Sequence, residues 1–442
     1  MLELLNPVVL SVLVLVVLSL SRVNVIIALL LAAVVAGLTG GLSIEETFGV
    51  VIDGLGGQGE TALSYILLGT LAVMVARSGL TRKLIRGVMP LLRGPRAAVL
   101  FAIAGLACFS QNLVPVHIAF IPILIPPLLA TFDKMKIDRR GVAVALTFGL
   151  KAPYLIVPLG FGLIFQGIIV DAMEENGMEI SLGQIPLAMA IPVAAMAVGL
   201  CIAILVTYRK DREYLDPKPL ANDASTAWKM TDANDLKWRR GDYAVLIGLA
   251  VTLVLQVMFQ SLVMAALAGV LVIFVLRGER WTDGDPIVDR GVGMMGTIAF
   301  IMLVASGYAS VLNETGAVDS LVASASEFIG DSKLLAAVIM MLVGLLVTMG
   351  IGTSFGTVPV LAAIFVPLAA AVGFTPLATA ALIGAAGAIG DAGAPASDST
   401  LGPTSGLNAD GQHHHIWDTC VPSFLHYNVL LFVGGVTAAM VL

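Results

Sequence analysis

The sequence predicts an all-α polytopic membrane protein, built as two inverted-topology repeats with about five transmembrane helices, a re-entrant hairpin and a broken helix in each. Composition is the first reason. The chain is 58% apolar and only 12% charged, with a mean hydropathy of +0.98, whereas a soluble domain carries about a quarter charged residues. The second is that apolar runs long enough to cross a roughly 30 Å hydrocarbon core recur along the chain. The third is that Pro-marked segments repeat in the same order, Pro115 pairing with Pro359 and Pro153 with Pro395, 242 to 244 residues apart. The 46 glycines and 20 prolines suit transmembrane helices that pack closely and break where polar backbone is wanted. Cys108, Cys201 and Cys420 form no CxxC pair, so no disulfide framework is expected and the three read as packing residues.

Spans are expected near 7–21, 23–42, 61–76, 141–170 and 185–208, then near 241–259, 262–276, 292–312, 378–409 and 421–442. The opening stretch lacks a basic region and a small-residue cleavage site, and reads as a retained helix. Segments 97–131 and 334–371 are short for two full crossings and are punctuated by Pro, Gly, Ser and Thr. Each reads as a re-entrant hairpin, with a tight helix pair as the alternative. Residues 209–240, with eight Lys or Arg and six Asp or Glu, form a linker between a first repeat (1–208) and a second (241–442).

Basic residues orient these pieces, because cytoplasmic loops are enriched in Lys and Arg. Residues 43–60 hold Glu45, Glu46, Asp53 and Glu60 with no base, and 171–179 are likewise acidic. Residues 77–96 hold Arg77, Arg82, Lys83, Arg86, Arg93 and Arg96 with no acid. That places 77–96, 132–140 and 209–240 in the cytoplasm. In the second half, the loop matching 77–96 carries Glu314, Asp319, Glu327 and Asp331 against Lys333. Equivalent loops of opposite charge imply opposite sides of the membrane, the mark of an inverted repeat with a midplane site.

Backbone inside hydrocarbon must satisfy its own hydrogen bonds unless it lines a cavity. Broken segments at membrane depth are therefore candidate binding sites. Four occur: Ser110-Gln111-Asn112-Leu113-Val114-Pro115, Gly149-Leu150-Lys151-Ala152-Pro153, Gly352-Thr353-Ser354-Phe355-Gly356-Thr357, and Gly390-Asp391 through Ser397-Asp398-Ser399-Thr400. Half-helix ends there offer carbonyls to cations and N–H groups to anions, and neutral Ser, Thr and Asn oxygens suit a hard cation such as Na⁺. Lys151, Asp391 and Asp398 occupy these breaks. A charge at the bilayer centre costs roughly 2.5–3.5 kcal/mol, so such residues pair, face a cavity or bind an ion. The functional reading seats Na⁺ or a proton at Asp391 and Asp398, with Lys151 as internal counter-charge. The structural alternative is an ion pair without transport.

His413, His414 and His415 crowd the start of the last span and are candidates for gating or pH sensing, for a transition metal, or for ordinary loop positions. Gly352-Thr353-Ser354-Phe355-Gly356 matches GxSxG, which with His426 could supply the nucleophile and base of an intramembrane serine protease. Its setting in a helix break argues against that. No Walker A, no HExxH and no basic nucleic-acid stripe occur. No catalytic residue, no cofactor and no nucleic-acid partner are expected.

The run from Gly390 to Thr404, continuing through Gly406-Leu407-Asn408, Gln412, Trp417-Asp418-Thr419 and Pro422, resembles the NhaC-like Na⁺/H⁺ antiporter family of the ion transporter superfamily. The resemblance extends over most of the chain and is strongest from 349 to 430. It implies a homodimer in the cell inner membrane, with a scaffold and an elevator-like transport domain. It also implies substrate and Na⁺ binding at Ser110, Gln111, Asn112, Thr353, Ser354 and Thr357 of the tips and at Asp391, Ser397, Asp398 and Ser399 of the break. Lys151 departs from a purely polar break. Some relatives resemble amino-acid carriers, histidine carriers included. A site with both signs of charge suits a zwitterion as well as Na⁺ and H⁺, so both substrate classes stay open, with the antiporter favoured by the resemblance.

Overall fold

A computed structural model describes residues 6–21, 23–78, 94–113, 117–158, 161–215, 238–259, 261–317, 320, 332–351 and 354–442. The described elements are helical, and no strand occurs among the described residues. The first half contains α1 (Pro7–Leu20), α2 (Val25–Thr39), α3 (Ile44–Gly54), α4 (Gly59–Ser78), α5 (Arg96–Leu113), α6 (His117–Lys134), α7 (Arg139–Ile156), α8 (Phe161–Glu175) and α9 (Ala190–Ile202). The second contains α10 (Arg240–Phe259), α11 (Leu262–Val275), α12 (Gly284–Glu314), α13 (Lys333–Ile351), α14 (Ser354–Val372), α15 (Pro376–Ile389), α16 (Asp398–Leu407) and α17 (Val429–Val441).

Local chemistry fixes several helix starts. Ser43 and Glu46 close a capping box at α3: the Glu46 N–H donates to Ser43 Oγ, and the Ser43 N–H to Glu46 Oε2. Thr375 caps α15, with Pro376 at its first position. Asp138 caps α7 through the Arg140 N–H.

The elements repeat at one offset. α2 and α11 start at Val25 and Leu262, α5 and α13 at Arg96 and Lys333, α6 and α14 at His117 and Ser354; α7 and α15 start at Arg139 and Pro376, α8 and α16 at Phe161 and Asp398, each pair 237 residues apart. This corrects the spacing of 242 to 244 read from the prolines, which sit at different places within corresponding helices. Asp391 falls opposite Tyr154, one turn along α7 from Lys151.

Segments 97–131 and 334–371 each hold two helices. The residues between them, 114–116 and 352–353, lie outside the described residues. α14 bends by 48° between Ala362 and Ile364, four residues before Pro367, whose ring clashes with the carbonyl four positions back. The first half differs from expectation at Gly149–Pro153. That stretch is helical, because α7 runs through Pro153 to Ile156, and the chain leaves helix only at Val157.

Two bundles result, each drawing on both halves. In one, α12 packs on α2, α3 and α4, while α10 and α11 pack on each other and on α4. In the other, α7 packs on α5, α8, α9 and α16, and α15 packs on α13, α14 and α17. The bundles meet where α4 touches α6 and where α12 touches α13 and α16. Stretches Ala190–Thr207, Met295–Glu314, Pro376–Leu407 and His415–Val441 are long and apolar enough to cross a membrane. Leu13, Ile27, Leu63, Val206, Met258, Val275 and Leu425 stand exposed around the outside, an apolar surface that hydrocarbon, unlike water, accepts.

Candidate functional site

The site forms where three elements of the second half meet α7 of the first. After α15 ends at Ile389, the chain makes a single tight turn, Asp391–Gly393, and runs without helix to Ser397 before α16 begins at Asp398. Two glycines let this stretch lie deep. A Cβ on Gly390 would stand 2.6 Å from the Met349 nitrogen, and one on Gly393 would stand 2.8 Å from Phe424 Cα. Ser397 caps α16, its Oγ accepting from the Ser399 N–H at 3.1 Å.

Asp391 is the hub, 3% exposed. Its Oδ2 takes the ammonium of Lys151 in an ion pair and accepts from Ser354 Oγ, together with the Ser354 N–H at 3.1 Å. Its Oδ1 accepts from Ser397 Oγ. Because Ser354 is the first residue of α14, its N–H is one of the unpaired donors at a helix start and favours an anion there. Lys151, also 3% exposed, lies 3.7 Å from Asp398 Oδ1. Among the described residues, two carboxylates thus share one ammonium.

A ring of hydroxyls surrounds the pair. Ser397 Oγ and Ser399 Oγ are 2.8 Å apart, and Ser399 Oγ donates to the Asp391 carbonyl at 3.1 Å. Thr147 Oγ1 donates to the Ser399 carbonyl at 3.1 Å and lies 3.2 Å from Ser423 Oγ. The Tyr154 hydroxyl is 3.0 Å from Ser354 Oγ. Thr147, Ser423 and Tyr154 are additions to the sequence reading. Thr147, Lys151 and Tyr154 share one face of α7 at helical spacing, a periodicity that could have revealed them.

Of the predicted residues, Lys151, Ser354, Asp391, Ser397, Asp398 and Ser399 come together. Thr357 is buried one turn into α14. Ser110, Gln111 and Asn112 end α5, their side chains lying outside the described residues, as Thr353 does.

The three histidines have three separate surroundings. His413 Nε2 is 2.7 Å from Thr419 Oγ1. His415 Nδ1 is 2.8 Å from Thr404 Oγ1, and its Nε2 donates to the Pro395 carbonyl at 2.8 Å. The exposed His414 uses Nδ1 to accept from the Trp417 N–H at 3.3 Å. No group of three or more His, Cys, Asp or Glu side chains positioned for a metal occurs among the described residues. Burial pushes the His413 imidazole down to about 3, against the opposing pull of Asp418, which favours its neutral form. His426 is engaged by Thr207 Oγ1 and the Pro422 carbonyl, whereas Ser354 faces Asp391 and Tyr154. The GTSFG serine and this histidine therefore do not form a nucleophile–base pair.

Below the site, Arg139 is fully buried. Its guanidinium bonds Asp133 at 2.9 Å and Asp410 at 2.7 Å and lies 4.2 Å from the Tyr214 ring centroid. This joins the start of α7 to the loop after α16.

The chain matches the Na⁺/H⁺ antiporter family over residues 145–439 and a second family described as Na⁺-H⁺ antiporter over 6–92. It is 49% identical to an uncharacterized membrane protein of Vibrio parahaemolyticus, covering 99% of this chain and 100% of that one. It is 46% identical to the "Putative amino acid transporter YuiF" of Bacillus subtilis, again over 99% and 100%. Among solved structures it is similar to MtrF of Neisseria gonorrhoeae (14% identity, 94% of each chain, TM-score 0.43). It is also similar to the YdaH transporter of Alcanivorax borkumensis (14% identity, 98% of this chain and 97% of that one, TM-score 0.44).

Proposed function

The chain belongs to the Na⁺/H⁺ antiporter family, and from that premise we propose that it is an ion-coupled secondary transporter of the cell inner membrane, exchanging Na⁺ for protons. The observation that carries this is the buried Asp391, held by one ammonium and two hydroxyls at the ends of broken helices, with Asp398 beside it. In this mechanism Asp391 and Asp398 are loaded alternately by Na⁺ and by protons. Lys151 compensates Asp391 when no ion does, so the empty site can reorient without an uncompensated charge in hydrocarbon. Serine hydroxyls and the Asp391 carbonyl supply the neutral oxygens that replace water around Na⁺.

The common offset of 237 residues and the opposite charge of matching loops support two inverted repeats, 1–208 and 241–442, joined by a cytoplasmic linker at 209–240. The second half then gives the helix break at 390–397 and the first half the continuous α7 to one site, and the assembly is a homodimer. In proteoliposomes an imposed Na⁺ gradient should change internal pH, and Asp391→Asn should abolish the change while leaving the protein folded. Unaltered exchange by that variant would end the assignment.

A second reading is Na⁺- or H⁺-coupled transport of an amino acid, histidine among the candidates. It is favoured by the YuiF relative and by a site holding both signs of charge. There Lys151 receives the solute carboxylate and Asp391 or Asp398 its ammonium. Gradient-driven uptake of a radiolabelled amino acid without a pH change in its absence would select this reading.

A further inference from the structure

The stretch from Asp391 to Ser397 lies between α15 and α16, so its carbonyls lack the regular N–H ladder of a helix. At membrane depth such groups must be satisfied from inside the protein. Three side chains do this. Ser399 Oγ donates to the Asp391 carbonyl at 3.1 Å, and Thr400 Oγ1 to the Ala394 carbonyl at 2.6 Å. Both stand in the first turn of α16. The third donor comes from further off: Nε2 of His415, 20 residues along the chain, meets the Pro395 carbonyl at 2.8 Å. His415 opens a π-helical turn, His415–Cys420, a wide turn of a kind frequent at functional sites.

The ring is held from both sides. A carbonyl oxygen only accepts, so Nε2 carries the proton, and in the neutral imidazole Nδ1 then presents a lone pair. Thr404 Oγ1, 2.8 Å from Nδ1, supplies the matching donor. Thr404 belongs to α16, so the imidazole spans from that helix to the backbone just ahead of it. Beyond Pro395, Ser397 caps α16, and its Oγ donates to Asp391 Oδ1. Asp398 follows directly. The path of the chain at Pro395 therefore sets where Ser397 and Asp398 stand relative to Asp391.

We propose that His415 is a positioning residue for the two carboxylates, acting through the Pro395 carbonyl and Ser397. Its Nε2–H fixes the plane of the peptide after Pro395, and Thr404 keeps the proton on that nitrogen. The imidazole does not itself meet the ion; it sets the shape of the seat. The inference rests on the Na⁺-coupled reading and adds a residue to it.

The test compares two amides of different reach. In His415→Gln the side-chain nitrogen takes the place of Nε2 and can donate to Pro395. In His415→Asn it takes the place of Nδ1 and falls short. Exchange by the full-length protein in proteoliposomes is measured against Na⁺ concentration, with thermal unfolding of each variant without Na⁺ as the check on folding. His415→Asn should raise the half-saturating Na⁺ by about tenfold, the effect of one lost hydrogen bond. Its maximal rate should stay within about twofold of wild type, as for a change in ion binding alone. His415→Gln should recover most of the affinity. Unchanged half-saturation in His415→Asn overturns the proposal, even where stability falls, since that outcome assigns the ring to packing. Equal impairment of the two amides overturns it too, because the ring and not its Nε2–H would then be needed. If His415→Asn does not fold, Thr404→Val takes its place: it removes the donor to Nδ1 and should also raise half-saturation, and no shift there overturns the proposal. A wild type with no saturable Na⁺ response fails differently: it overturns Na⁺ coupling itself, and this inference with it.

Discussion

Replacing Lys151 by Met removes the ammonium while keeping an unbranched side chain of similar length. Asp391 would then be a buried carboxylate, 3% exposed, without its ion-pair partner. Breaking one side of a buried pair costs about 3–5 kcal/mol. The Ser354 N–H, Ser354 Oγ and Ser397 Oγ would still donate to the carboxylate, which argues for the lower end, about 3 kcal/mol. Asp391→Asn alone leaves the ammonium near Asp398, 3.7 Å away, and should cost less. The double variant Lys151→Met/Asp391→Asn has neither charge and should recover most of the loss. Unfolding in mixed micelles, run as a double-mutant cycle at low Na⁺ and pH 8, reads the coupling energy directly. Raising Na⁺ should rescue Lys151→Met by mass action, because the ion would bind the folded form with its vacated carboxylate. A coupling energy near zero, or a Lys151→Met protein insensitive to Na⁺, would refute the view that the ammonium occupies a cation's place.

Two other perturbations test the surroundings. His413 has its folded-state proton affinity lowered by burial, against the opposing pull of Asp418, while the unfolded chain takes up the proton near pH 6.5. Stability is therefore full above about pH 6.5 and falls below it. The loss is about 2 kcal/mol between pH 6.5 and 5, and His413→Asn should flatten that slope in unfolding measured across the range; an unchanged slope would show that the histidine is not its source. Arg139 is fully buried between Asp133 and Asp410, so Arg139→Met should lower stability by about 3–5 kcal/mol. Arg139→Lys should restore only part, since an ammonium can neither bond in fork geometry nor stack on Tyr214 as a guanidinium does; full recovery in the same unfolding assay would contradict this.

The membrane class and the clustering of Lys151, Asp391 and Asp398 could be read directly because charge in an apolar run is expensive. Any such residue stands out against its neighbours. The register of the repeat was harder to read. Prolines mark breaks loosely, so pairing Pro153 with Pro395 misjudged the offset by several residues. The same habit placed a break at Gly149–Pro153, where α7 accommodates the proline and continues to Ile156. Tyr154 and Thr147 could have been found on the Lys151 face by helical spacing. The histidine run was legible as a cluster in sequence but is dispersed in space, since adjacent residues around a turn point in different directions.

The Lys151–Asp391 pair joins residues 240 apart in the chain, and this has a consequence for biosynthesis. At about 5–20 residues per second, roughly 12–48 s separate the emergence of the ammonium from that of its carboxylate. Throughout that interval α7 is a helix with a charge and no mate, costly to leave in lipid by about 2.5–3.5 kcal/mol. Until the second half arrives, the first half is therefore less stable in the bilayer than it is in the complete chain.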